Sequence, residues 1–173
     1  MYEYKNFDTN LKKGQKVEES VRDLSQKLLP DCKVFVTDQS DPIERIKYNL
    51  VDVVVQKDGH TVLGIECKRN RTKWGICYKL NGWSGNWNTP INVTSWDQYL
   101  QAQFPVYIIN IQEFAKKAYM ADLDTVKNSK FGVDWRVEGR DVHNIDSHTW
   151  KVYEGNFTLT DILSDIFRRE GLC

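Results

Sequence analysis

Residues 50–69, LVDVVVQKDGHTVLGIECKR, hold two apolar runs on either side of a Lys-Asp-Gly-His tetrapeptide. Turn residues flanked by β-branched runs are the short-range signature of a β-hairpin. Two paired strands are therefore predicted, one from Leu50 and one from Thr61. Side chains alternate across a strand, so Glu66 and Lys68 share one face while Cys67 points to the other. Asp52 stands among valines, where a lone carboxylate is costly to bury unless a cation or hydrogen-bond donors meet it. Pairing of the two strands brings Asp52 beside Glu66. Two such carboxylates repel unless a divalent cation sits between them, and magnesium typically takes one or two carboxylates, several waters and phosphate oxygens. Lys68, on the same face, falls near the metal-bound water and the phosphate.

The stretch QKVEESVRDLSQKLLP places Val17, Val21, Leu24 and Leu28 at helical spacing, closed by Pro30. At about 100° per residue, Glu18 lies at the edge of that apolar stripe and Glu19 on the far side. Glu18 can reach the sheet, and Glu19 faces water. KVFVT from Lys33 reads as a strand, and DQSDPIERIKYN after it as polar and turn-rich. SWDQYLQAQF reads as a helix with Ser95 as N-cap, and PVYIINI as an apolar strand. Residues 114–150 give no firm pattern. TLTDILSDIFRRE is again a helix, with Leu159, Ile162, Leu163, Ile166 and Phe167 on one stripe, suited either to the core or to a dimer surface. The order fits an α/β (α+β) domain with helices against a mixed central sheet. A length of 173 residues suits a single domain spanning 1–173.

Twenty-four basic residues balance 24 acidic ones, so a polyanion-binding surface has to be local. Two basic runs offer one: Lys12, Lys13 and Lys16, then Lys68, Arg69, Arg71 and Lys73. Between them and the next helix, residues 72–95 set Trp74, Trp83 and Trp87 among glycines, asparagines and lysines. Such aromatics either stack on unpaired bases or pack their own loop onto the sheet. Cys32, Cys67, Cys77 and Cys173 form no CxxC pair and have no histidines at zinc spacing, so reduced thiols are expected. His60 reads as a turn residue, and His143 and His148 are isolated. With no apolar leader after Met1 and no membrane-length segment, a cytoplasmic location is the expectation.

Together GQKVEESV, LVDVVVQ and GIECK resemble the PD-(D/E)xK nuclease superfamily. Gly14, four residues before Glu18, and the IECK wording look most like its archaeal-type Holliday junction resolvases. The resemblance covers about residues 11–112 and leaves 113–173 unassigned. It implies a restriction-endonuclease-like αβββαβ core and a magnesium- or manganese-dependent nuclease. Asp52 and Glu66 would be metal ligands with the Cys67 carbonyl, Glu18 would bind the metal directly or through water, and Lys68 would orient or activate the attacking water. Many relatives of that type are homodimers, so a homodimer is implied as well. Val51 stands where the motif's name has proline. Gln98 and Tyr99 make no clean QxxxY pattern, which sets the chain apart from the exonuclease branch.

The substrate expected is nucleic acid, DNA ahead of RNA, with Lys12, Lys13, Lys16, Arg69, Arg71, Lys73, Trp83 and Trp87 as binding residues and a structure-specific endonuclease as one specialisation. Two rivals stand beside it: an RNA endonuclease on the same core, and a catalytically silent nucleic-acid-binding or interaction module. Taken singly, Glu66 and Lys68 fit a surface salt bridge, Asp52 an edge-strand gatekeeper and Glu18 a helix-surface acid. Their joint order favours the nuclease.

Overall fold

A computed structural model describes residues 17–70, 91–112, 116–129, 135–137, 140–143, 145 and 147–173. Helix α1, Val17–Leu28, buries Val17, Val21 and Leu24 and keeps Glu18 and Glu19 in its first turn, where the helix dipole favours acids. The Gln26 amide fixes its far end: Nε2 donates to the Cys32 carbonyl (2.7 Å) and Oε1 accepts from the Val34 N–H (3.0 Å). That bond leads the chain into strand β1, Lys33–Val36.

Strands β2 (Val53–Lys57) and β3 (His60–Asn70) form the predicted hairpin. Its turn residues Asp58 and Gly59 have φ of 50° and 79°, the left-handed pair that a tight two-residue turn demands. β1 pairs antiparallel with β2, and β3 pairs in parallel with β5, Val106–Gln112. Between them lie β4 (Ile91–Asn92) and helix α3 (Val93–Leu100). α3 begins two residues before the predicted cap, so Ser95 is an interior helical residue.

The region without a firm pattern contains β6 (Lys117–Asp122), helix α4 (Leu123–Asn128), β7 (Trp135–Val137), β8 (Arg140–His143) and a 3-10 turn at Ser147–Thr149, and β9, Lys151–Glu154, follows it. β6 and β9 extend the main sheet to six mixed strands in the order β1-β2-β3-β5-β6-β9, and β4-β8-β7 make a second, three-stranded sheet. A short helix, α2 (Pro42–Lys47), capped by Asp41, sits in the stretch read as turns. No helix among the described residues is long and apolar enough to cross a membrane.

The main sheet separates two cores. On one face Val53, Val55, Leu63, Ile65, Tyr107, Ile109 and Ile111 pack against α1 and the last helix, α5 (Leu159–Arg169). The whole α5 stripe is buried there, so it completes the core and is not a dimer surface. On the other face Val54, Val106 and Ile108 pack with Trp96 and Tyr99 of α3. The central strand β5 is buried along its whole length, as a strand covered on both faces must be.

Asp165 ties α5 to β9, accepting hydrogen bonds from Lys151, Tyr153 and Arg168. Burial pushes its carboxyl up, but these three donors outweigh it and hold it below the usual carboxylate range. A depressed folded-state pKa gives stability that is full above the unfolded value of about 3.9 and is lost as pH falls through the folded one. Asp165→Asn is expected to cost about 1–3 kcal/mol at neutral pH. Its deficit in urea unfolding should shrink below about pH 4, and an equal deficit at neutral and acid pH would contradict the assignment.

Candidate metal and phosphate site

The end of β1 and the start of β2 meet the middle of β3, because Val36 pairs with Val53 and Val53 with Ile65. Asp52 lies just before β2 rather than within it. Its position is fixed from three sides. The Thr37 N–H donates to the Asp52 carbonyl (2.9 Å), and the buried Thr37 hydroxyl donates to the Val51 carbonyl (2.7 Å). The Asp52 side chain accepts from the Cys67 N–H through Oδ2 at 2.8 Å. Upstream, Asn49 and Leu50 both take left-handed φ, 51° and 62°. A leucine is rarely held there, at a cost of about 1–3 kcal/mol, so the chain is strained two residues before the carboxylate. Gly64 makes room on the neighbouring strand: a Cβ there would stand 2.7 Å from a Phe104 ring carbon and 3.1 Å from a Val51 methyl.

Glu66 and Lys68 project from the same face of β3. The Lys68 ammonium donates to Glu66 Oε1 at 2.6 Å, and the Glu66 side chain is only 6% exposed. Its other oxygen, Oε2, is buried with no hydrogen-bond partner among the described residues. Burial, then the negative charge of Glu66, push the Asp52 carboxyl up to about 8; the Cys67 N–H and Lys68 pull it back, and Glu18 pushes it further up. Burial opposes the charge on Lys68, yet Glu66 and Asp52 outweigh it and keep the amine protonated. The site is two crowded carboxylates with one ammonium.

Tyr99 of α3 completes this wall and was not singled out from the sequence as a site residue. Its hydroxyl lies beside Glu66 and Ser95; burial first, then the Glu66 charge, push its pKa well above the ordinary value. The available signal was the i, i+4 spacing of Ser95 and Tyr99, which sets both on the inner face of the helix. The same sheet face continues past Lys68, which is in register with Asn110, to Gln112, in register with Asn70. Gln112 is fully buried, and neither amide atom has a hydrogen-bond partner among the described residues.

Glu18, at the start of α1, is near enough for its charge to raise Asp52 and Cys67. Among the described residues, however, no three His, Cys, Asp or Glu side chains gather as a metal group. Asp52 and Glu66 are the pair that the strand register brings together, and Glu18, on α1, acts on Asp52 through its charge. The Cys67 side chain packs against the core with α1; burial holds the thiol pKa well above normal, which makes it a poor nucleophile. His143 is buried edge-on against Trp96, and His60 is exposed at the hairpin. Lys12, Lys13, Lys16, Arg71, Lys73, Trp74, Trp83 and Trp87 lie outside the described residues, and Arg69 takes its place on β3.

The donor set fits a hard divalent cation: two adjacent carboxylates, one with a buried oxygen that has no hydrogen-bond partner among the described residues, against a geometry in which magnesium needs only one or two carboxylates. Asp52→Asn is expected to raise the stability of the metal-free protein at neutral pH by about 0.5–2 kcal/mol, since burial and Glu66 keep Asp52 protonated in the folded state while the unfolded chain ionises it. Manganese at about 100 times its Kd should stabilise wild type by about 2.7 kcal/mol and this variant far less. Thermal unfolding with and without manganese checks both, and equal shifts in the two proteins would place the ion elsewhere. No family model matches the chain, and neither a curated protein nor a solved structure does.

Proposed function

We propose that this protein is a magnesium- or manganese-dependent nuclease hydrolysing nucleic-acid phosphodiesters, with DNA ahead of RNA as substrate, on a restriction-endonuclease-like core. The observation that carries this reading is the meeting of Asp52, Glu66 and Lys68 where β2 begins beside the middle of β3, with Glu66 Oε2 buried and without a hydrogen-bond partner among the described residues. The element order from α1 to β5 supports it: a helix, three antiparallel strands, a helix and a parallel strand, with α2 and β4 inserted.

Asp52 and Glu66 would hold the ion. A divalent cation bound there supplies Lewis acidity, lowering the pKa of a coordinated water and neutralising charge on the phosphate. The protein's own groups do the rest. Lys68, held on Glu66, is a donor aimed along the face where the phosphate and attacking water would lie. Tyr99 restricts the Glu66 carboxylate, and Thr37 restricts the backbone that carries Asp52. Such preorganisation matters because donors fixed before the reaction need no rearrangement as charge develops.

The test compares wild type, Asp52→Ala and Lys68→Ala on plasmid, single-stranded DNA, a four-way junction and RNA, each with manganese, magnesium or EDTA. Wild type is expected to cut DNA only with a divalent ion, and Asp52→Ala not at all. Lys68→Ala should lose roughly 100-fold or more in kcat while keeping its manganese-induced thermal shift. Cleavage by both wild type and Asp52→Ala, or by neither, would contradict the site. Cutting of RNA alone would move the reading to an RNA endonuclease.

A further inference from the structure

Helices α2 and α3 leave an open groove of about 240 Å³ between them, lined by Pro42, Arg45, Ile46, Leu50, Thr94 and Gln98. Beside it Ile43 and Ile46 are 76% and 73% exposed, the most exposed large hydrophobics among the described residues. Two isoleucines held in water on a single helix call for an explanation, because each forgoes about 1.5–3 kcal/mol of burial. The acids of the same loop are turned back onto its own backbone. Asp38 accepts from the Ser40 N–H, Asp41 from the Ile43 N–H and Glu44 from the Asp38 N–H. Lys47 lies over the Tyr48 ring. Arg45 is exposed and makes no ion pair among the described residues. Arg45 is thus the one charged side chain among the residues lining the groove, beside Pro42, Ile46 and Leu50.

This groove shares a wall with the candidate catalytic site. Tyr99 of α3 faces Glu66 and bonds to Ser95 one turn earlier, and Thr94 and Gln98, each one position before these two and so about 100° round the helix, line the groove. A helix with its side chains is about 10–12 Å across, roughly three nucleotides at about 3.4 Å of rise. The volume is below that of a drug-sized pocket, about 300–1,000 Å³, and suits one flat ring. A stable contact with a second copy needs on the order of 1,000 Å², more than two isoleucines and this groove provide.

We propose that the α2–α3 groove receives an unpaired nucleotide close to the scissile phosphate, its base laid against Ile46, Leu50 and Pro42 and its phosphate on Arg45. The word scissile rests on the nuclease reading above; the groove's affinity for a single strand does not. Isoleucine, leucine and proline are side chains that wedge against unstacked base steps, and a neighbouring cation tracks the phosphate backbone.

The experiment uses the full chain, labelled with 13C at isoleucine methyls, in EDTA, titrated with a 12-nucleotide single-stranded DNA and with RNA of the same sequence. The Ile43 and Ile46 methyl resonances are expected to shift on binding, and the tighter of the two strands identifies the sugar. Arg45→Ala is expected to weaken binding roughly tenfold and to lower the slope of log K against log salt by about 0.7, the loss of one single-strand phosphate contact. Binding that leaves both methyls and the Arg45→Ala slope unchanged would overturn the proposal, as would no binding, or methyl shifts that follow protein concentration without oligonucleotide. Adding manganese to the same samples separates the two ideas. Cleavage without a methyl response keeps the nuclease and removes the groove, while a methyl response without cleavage keeps the groove as a single-strand site and removes the nuclease.

Discussion

Two carboxylates that should repel are held side by side where β2 begins beside the middle of β3, and much of the surrounding structure exists to keep them there. Asp52 accepts the Cys67 N–H, and Glu66 accepts the Lys68 ammonium. Neither arrangement satisfies every lone pair: Glu66 Oε2 is left without a partner among the described residues. Natural cores seldom leave a buried charge so poorly matched. The crowding is costly to folding, and it is intelligible if a cation is bound during function.

The cost is spread over several devices. Thr37 fixes the backbone at Val51 and Asp52, Leu50 is held in a left-handed conformation upstream, and Gly64 leaves space for Val51 and Phe104 on the next strand. The Leu50 conformation contradicts a local preference, and Gly64 is a residue of minimal size. Such conflicts concentrate at functional sites, where stability elsewhere sustains them. Here that support comes from the opposite face of the sheet, where α1 and α5 bury a continuous apolar cluster.

The hairpin, the α1 stripe and the α5 stripe were legible in the sequence because each carries its period in consecutive residues. The face shared by Glu66 and Lys68 followed from alternation alone, and the approach of Asp52 to Glu66 from the pairing register. Helix α2 was missed because its isoleucines point to water, so it shows no buried stripe. Tyr99 entered the sequence reading only through the missing QxxxY pattern; the fold shows that its hydroxyl lies beside Glu66. β9 depends on a partner well away in the chain, since it pairs with β6, and a short strand placed by such contacts leaves little local pattern.

The central claim is that Asp52 and Glu66 together hold a divalent ion. Anomalous scattering from a crystal grown with manganese tests it most directly. The account expects a manganese peak within coordination distance, about 2.0–2.3 Å, of a carboxylate oxygen from each of Asp52 and Glu66. A manganese site elsewhere, or the same pair of side chains still bonded only to Lys68 and the Cys67 N–H at saturating manganese, would contradict it.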